Sequence, residues 1–279
     1  MVDSDKPSVL ISGGTHGLGR ALAESYFKRD CAVFVFGRDP ASVDRTVFEI
    51  RSHVRGSGDI KGFIADVSRL DQVEGVVYRV LDETGRIDVL VSNAGIYGPI
   101  GPVESTHAND WDHAININLN GSVNLIRAVI PNMKKQRTGR IIQLSGGGAT
   151  KPMPNFTAYA AAKAGVVRFV ESVAEELREF RVPANSVAPG ALNTRMLRQV
   201  IDSGPSRVGE SFFKRSKEQD VSGGAGFEKA IQLVMYLSFE SPKELTGRLI
   251  SAIWDDWKNT AEIKDVLANS DRWTLRRFE

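Results

Sequence analysis

Short apolar runs rich in β-branched and aromatic residues alternate with amphipathic stretches along most of the chain. Val9-Leu10-Ile11-Ser12, Ala32-Val33-Phe34-Val35-Phe36, Gly62-Phe63-Ile64-Ala65, Val89-Leu90-Val91-Ser92 and Arg140-Ile141-Ile142-Gln143-Leu144 read as strands. Between the first two, Leu18, Leu22 and Tyr26 recur at i, i+4 and i+8, which predicts a helix from Leu18 to Arg29. A second helix is predicted from about Ala41 to Val54. Strands that are apolar on both faces and separated by helices belong to a parallel sheet covered on both sides. No internal repeat and no low-complexity linker divides the chain. The fold class predicted is therefore α/β, a single doubly wound domain over residues 1–279.

Two regions break the alternation. From about 195 to 227, Met196, Leu197, Phe212 and Phe213 are mixed with Ser203-Gly204-Pro205, Lys214-Arg215-Ser216-Lys217 and Gly223-Gly224. An amphipathic segment cut by turn formers late in such a domain predicts a lid over a pocket, with a plain surface hairpin as the other reading. The tail at about 252–279 carries Trp254, Asp255, Asp256, Trp257 and Trp273, and could cross a subunit interface or cover the domain's own core.

Composition narrows the function. Of 279 residues 42% are hydrophobic, and 36 basic residues face 34 acidic ones for a net charge of +2, which argues against binding nucleic acid or a membrane surface by bulk charge. The clusters Lys134-Lys135-Gln136-Arg137 and Arg276-Arg277 read as solvated helix ends. Cys31 is alone, so no internal disulfide forms and no zinc-type cluster exists; no metal is expected, and the cysteine reads as a small buried hydrophobe. The polar start and the lack of an apolar stretch long enough to span a bilayer lead us to expect a soluble, cytoplasmic protein.

The candidate chemistry begins after the first strand, at Ser12-Gly13-Gly14-Thr15-His16-Gly17-Leu18-Gly19. Glycines 13, 17 and 19 lie where a strand hands over to a helix. Glycine there permits tight turns and brings the backbone close to a pyrophosphate at the helix N-terminus. A second pattern is Tyr159-Ala160-Ala161-Ala162-Lys163, which places an ammonium and a phenol on one helix face. A cation about 4 Å away is worth about 4 kcal/mol at an effective dielectric of about 20, enough to lower a phenol pKa by about three units before desolvation.

The glycine spacing, Asn93-Ala94-Gly95, Tyr159-x-x-x-Lys163 and Pro189-Gly190 occur in order over about residues 8–252, and together they resemble the short-chain dehydrogenase/reductase family. The resemblance implies a Rossmann-type sheet, usually of seven strands, and a nicotinamide cofactor bound by Gly13, Thr15, His16, Gly17, Leu18 and Gly19. Gly37-Arg38 stands where a carboxylate would accept from an adenosine ribose and repel a 2′-phosphate, and Arg38 can fork onto that phosphate. His16 is similar to the basic residue of NADP-preferring relatives, so NADP(H) is expected over NAD(H). Arg38 could otherwise be a helix-entry charge paired with Asp39.

By resemblance, Asp66-Val67 would touch adenine, although Asp66 could equally cap a helix. Asn93, Ala94 and Gly95 would let the cofactor lie against the backbone, while Pro189, Gly190, Leu192 and Thr194 would meet the carboxamide and phosphates. Tyr159 would transfer the proton, Lys163 would also hold the nicotinamide ribose, and Asn118 would anchor a proton relay, with Asn116 and Asn120 one turn away.

One departure stands out. The family's serine lies thirteen residues before the tyrosine, where this chain has Gly146; Ser145 is one residue early and, on a regular strand, faces away. Three readings follow: a bulge re-aims Ser145, backbone N–H groups of Gly146–Gly148 or a substrate hydroxyl replace the serine, or the protein binds cofactor with little turnover. The pocket is expected among Ile96, Tyr97, Gly147, Met153, Phe156, Met196, Phe212 and Phe213, suiting a neutral or partly apolar carbonyl or alcohol substrate. The expected function is an NADP(H)-dependent oxidoreductase. The alternatives are a regulatory or scaffold protein with impaired catalysis, an NAD-dependent dehydrogenase, or a lyase or epimerase using the nicotinamide transiently. Relatives form homodimers or homotetramers through the helices carrying Asn118 and Tyr159, and the alanine-rich face Ala158–Ala164 is consistent with that.

Overall fold

The computed structural model describes residues 5–269 and 271–276. Its strands are β1 (Ser8–Ser12), β2 (Ala32–Gly37), β3 (Asp59–Ile64), β4 (Val89–Ser92), β5 (Arg140–Leu144), β6 (Ala184–Ala188) and β7 (Leu249–Ser251). They form one sheet in the order β3-β2-β1-β4-β5-β6-β7, and every pairing is parallel. The helices are α1 (Gly17–Lys28), α2 (Pro40–His53), α3 (Leu70–Thr84), α4 (Ala108–Ile115), α5 (Gly121–Gln136), α6 (Thr157–Glu176), α7 (Arg195–Ser203), α8 (Pro205–Val208), α9 (Glu210–Ser222), α10 (Glu228–Phe239) and α11 (Thr260–Asn269).

Alternate side chains of the strands feed two core layers. Val9, Ile11, Val33, Val35 and Val91 meet α1, α10 and α11, whereas Leu10, Phe34, Phe36 and Leu90 meet α3, α5 and α6. All nine are buried, so each contributes about 1.5–3 kcal/mol, and the central strands β1, β2 and β4 keep no solvent-exposed face. The order of strands reverses between β1 and β4, which opens a crevice beyond their carboxyl ends at Ser12 and Ser92.

The third strand begins at Asp59, three residues ahead of the apolar run that marks it in the sequence. As the sheet's edge it keeps a half-exposed face (Ile64 is 59% exposed), and its polar first half carries no apolar signal. Cys31 is fully buried in the first core layer. Lys134 and Lys135 end α5, Arg276 pairs with Glu171 and Asp271, and Arg277 lies outside the described residues.

The tail turns back on its own domain. Trp257 packs on Tyr236, Ile263 and Val266 of α11 join the first core layer, and the Leu249 amide donates to the Trp273 carbonyl at 2.7 Å. The 195–227 region forms α7, α8 and α9. Val200 and Val208 enter a small third cluster with Ile100, Phe156 and Tyr159, against which Met196, Phe212 and Phe213 pack. Among the described residues no helix is long and apolar enough to cross a membrane.

Candidate active site

A cleft of about 1880 Å³ opens at the carboxyl ends of the strands. One half of it is built on the glycine turn. The Gly13 amide donates to the Phe36 carbonyl at 3.0 Å, tying the turn to β2, and Gly13 and Gly17 adopt φ of +62° and +52°, which favour glycine. A Cβ on Gly19 would overlap the Gly13 carbonyl, so this third glycine serves close packing of α1 on the turn and does not line the cleft. Gly13, Thr15, His16, Gly17 and Leu18 do line it.

Asn93 locks this turn to the end of β4. Its amide Nδ2 donates to the carbonyls of Ser12 and Gly13, both at 3.1 Å. The Ser12 hydroxyl accepts from the amides of Asn93 (2.9 Å) and Ala94 (3.1 Å). His16 precedes α1 without capping it; its Nδ1 instead meets the Thr15 hydroxyl at 2.9 Å. The first-turn N–H groups therefore have no side-chain cap, the arrangement that receives an anion. Partial burial, and then the Arg195 charge, hold the His16 pKa below its ordinary value. Both effects disfavour the charged imidazolium that the sequence suggested.

Beside the end of β2, Asp39 accepts from the Ser42 hydroxyl and, at 3.0 Å, from the Ser42 amide, capping α2; these bonds, the hydroxyl's first, hold its carboxyl below the usual range. That carboxylate is committed to a helix. Arg38, with a side chain 56% exposed, lies 3.8 Å from Asp66 and not in an ion pair with Asp39. One Asp66 oxygen accepts from the Ser68 amide (2.9 Å) and hydroxyl (2.8 Å), a local turn bond, while the other faces Arg38. Two residues that the sequence reading missed position this corner. Gln72 Oε1 accepts from the Asp66 amide at 2.8 Å, and Asn124 donates to the Val67 carbonyl at 3.0 Å. Both sit in the first turn of their helices, α3 and α5, and carry no motif.

The chemistry-bearing half is set by α6. Tyr159 and Lys163 share its inner face, and both are buried. Lys163 Nζ donates to the Leu144 carbonyl at 2.9 Å and lies 5.7 Å from the centre of the Tyr159 ring. Burial lowers the lysine from 10.5 to about 8 and pushes the phenol above its ordinary 10, with the neighbouring Tyr97 phenol adding to the rise. The spacing argument expected the ammonium to lower the phenol. That lowering is not seen, because the ammonium is spent on a carbonyl over the ring and desolvation dominates.

Asn118 sits in a π turn (Asn116–Asn120) joining α4 to α5 and is fully buried. Its side chain donates to the carbonyls of Ile96 (2.8 Å) and Ala114 (2.9 Å) and accepts from the Ile96 amide (3.0 Å). It clips the β4 loop to the helix. A Cβ on Gly95 would stand 2.8 Å from Asn118 Oδ1 and 3.6 Å from Lys163 Nζ, so glycine keeps open the space between them.

The Ser145 amide donates to the Val187 carbonyl at 2.8 Å, continuing the β5–β6 pairing; Ser145 lines the cleft, and its hydroxyl lies 3.5 Å from the Lys163 carbonyl. Gly146 lies directly against the phenol, and a Cβ there would overlap the Tyr159 hydroxyl. The Tyr159 hydroxyl occupies the volume that a side chain at position 146 would fill.

Beyond β6, Pro189, Gly190, Leu192 and Thr194 line the cleft, and Thr194 caps α7 by accepting from the Met196 amide at 3.3 Å. Of the expected substrate wall, Ile96, Tyr97, Gly147, Met153, Met196 and Phe212 line the cleft; Phe156 is buried behind Tyr97 and Phe212, and Phe213 packs in the same cluster. Trp254, 86% exposed, and Trp273 border the mouth from the tail.

Comparison with known proteins gives a consistent picture. A family model described as short chain dehydrogenase matches residues 7–203. The chain is similar to 3-oxoacyl-(acyl-carrier-protein) reductase of Thermotoga maritima, 32% identical over 86% of this chain and 94% of that protein. It is 30% identical to D-beta-hydroxybutyrate dehydrogenase of Rhizobium meliloti over 88% of this chain and 96% of the relative. Among solved structures, actinorhodin polyketide ketoreductase with NADPH superposes with a TM-score of 0.80 at 25% identity, covering 90% of this chain and 97% of that one.

Proposed function

The chain belongs to the short-chain dehydrogenase family, and from that premise we propose that it is an NADP(H)-dependent oxidoreductase interconverting a secondary alcohol and a ketone or aldehyde. The observation that carries the reading is the pairing of a buried phenol and a buried ammonium on one face of α6, in the same cleft as a glycine turn suited to a pyrophosphate. The donor set fits a dinucleotide: an uncapped helix N-terminus, two positive-φ glycines, and an arginine standing where NAD-specific sites need a carboxylate. Likeness to a ketoreductase crystallised with NADPH supports the same cofactor.

Bound there, the cofactor supplies or accepts a hydride at the nicotinamide. Tyr159 holds the proton that the carbonyl oxygen takes in reduction and recovers it in oxidation. Burial raises its pKa, so the phenol carries the proton it would donate in reduction. Lys163 would hold the nicotinamide ribose hydroxyls, Asn118 would anchor a relay through its backbone, and Arg38 would meet the 2′-phosphate. The apolar wall around Tyr97, Met153, Met196 and Phe212 suits a carbonyl compound with an apolar body. The same reading makes the protein a cytoplasmic homodimer or homotetramer; exposed Ala161 and half-buried Ala164 and Gly165 leave room for a second helix on α6.

Cofactor binding with little turnover is a second reading, favoured by Gly146 alone. Parallel fluorescence titrations with NADPH and NADH, followed by a carbonyl panel, separate the two. Tighter NADPH with ketone reduction supports the enzyme; tighter NADH overturns the cofactor choice; NADPH binding without turnover on any carbonyl favours the second reading.

A further inference from the structure

Resting on the proposed carbonyl chemistry, we infer that the Tyr97 hydroxyl is the second hydrogen-bond donor to the reacting oxygen, in the place a serine would hold. The need for such a donor follows from the geometry. Gly146 offers no side chain, and Tyr159 fills the volume beside it. Ser145 borders the cleft, with its hydroxyl 3.5 Å from the Lys163 carbonyl as its hydrogen-bond partner. Reduction builds negative charge on the substrate oxygen, and a single phenol then carries it alone unless another polar group reaches the same point.

Tyr97 is placed to do this. It leaves β4 just after Gly95, and its own loop is held by the clip between Asn118 and Ile96. Its ring stands edge-on to Tyr159 with centroids 4.9 Å apart at 67°, and edge-on to buried Phe156 at 5.1 Å and 61°. These two contacts fix the ring as firmly as a core side chain. Only two polar side chains among the described residues make ring contacts with Tyr159: Lys163, already bonded to Leu144, and Tyr97. Tyr97 lines the cleft, and burial raises its pKa so that it keeps its proton as a donor. The two phenols are near enough that a charge on Tyr97 would raise Tyr159 further.

Tyr97→Phe removes the hydroxyl and keeps both ring contacts, so folding is preserved. The expected result is a drop in kcat of about 10²–10³-fold, the usual effect of losing one donor to a developing oxyanion, with NADPH affinity unchanged. A companion measurement needs no turnover. The infrared carbonyl stretch of a labelled aryl ketone bound to the protein–NADP⁺ complex should move back toward its solution frequency in Tyr97→Phe. If the wild type reduces ketones and Tyr97→Phe keeps kcat within about threefold (well under the expected loss) with an unshifted stretch, the assignment is overturned. The proposed function then stands, and the donor is the backbone of the glycine run. If the wild type binds NADPH but neither reduces nor binds any ketone, the carbonyl reading itself falls and takes this assignment with it.

Discussion

The two halves of the cleft are held by different means. At the dinucleotide end, short polar side chains and backbone groups saturate one another: Asn93 on two carbonyls, the Ser12 hydroxyl on two amides, Asp39 on α2. At the α6 end the Tyr159 phenol makes no such bonds and is set by ring-on-ring packing, with Tyr97 and Phe156 edge-on and Phe212 tilted in series. A hydrogen-bonded cradle specifies position to a few tenths of an ångström, and its parts are not interchangeable. An aromatic stack fixes an orientation through packing and leaves the hydroxyl groups free for a ligand. The first half is suited to a constant partner, the second to a variable one.

The largest expected effect strikes the second half alone. Tyr159→Phe removes the proton carrier and should lower kcat by about 10²–10⁴-fold, while the NADPH dissociation constant measured by fluorescence stays within about twofold of the wild type, because the dinucleotide half is untouched. A comparable loss of cofactor affinity would mean that the halves are not separable. Gly146→Ala comes next. An added methyl would collide with the Tyr159 hydroxyl and push the ring from its seat, costing about 1–3 kcal/mol in packing strain and about 10–100-fold in kcat/KM. Gly146→Ser should lose activity in the same way, although it brings back the family's usual residue. A gain with serine would show that the phenol has room to retreat.

How much of this was legible in the sequence follows the same division. The sheet, the glycine turn and the face shared by Tyr159 and Lys163 rest on periodicities and spacings that a linear text preserves. Neither the Asn93 clamp nor the Asn124 contact could be read, because each joins elements far apart in sequence through one amide, and the Gln72 contact, though local, depends on how the loop after β3 turns into α3. The first half of β3 was hidden by its edge position. The electrostatics misled most at Tyr159 and His16. Spacing predicts that an ammonium lies nearby, but it does not report that the ammonium has another partner or that burial outweighs it.

Cofactor choice tests the first half with a smaller effect. Arg38→Asp places a carboxylate where a 2′-phosphate would lie, and should shift the NADPH-to-NADH affinity ratio toward NADH by about 10–100-fold, the value of one or two charge-assisted bonds. Titration of both cofactors against wild type and variant measures it, and an unchanged ratio would remove Arg38 from the phosphate site.

The gentlest perturbation is pH, and it reaches both halves through Lys163. Reduction needs the phenol protonated and the lysine charged. Because burial raises the phenol and lowers the lysine to about 8, the descending limb of kcat/KM belongs to the lysine. The rate should be level near neutrality, about half its plateau near pH 8, and lower beyond. Lys163→Arg should move that limb out of range; a limb that persists in the variant would assign it elsewhere. Stability should run the opposite way. A folded lysine at about 8 against an ordinary 10.5 means that Lys163 binds more protons in the unfolded chain between those values, so its contribution makes stability rise with pH from about 8; above 9 the Cys31 thiol, raised by burial from 9.0 to about 11, opposes it, and the net rise is confined to about pH 8–9. Thermal unfolding of the cofactor-free protein at a series of pH values should show that rise in the wild type, and lose most of it when Lys163 is replaced by methionine.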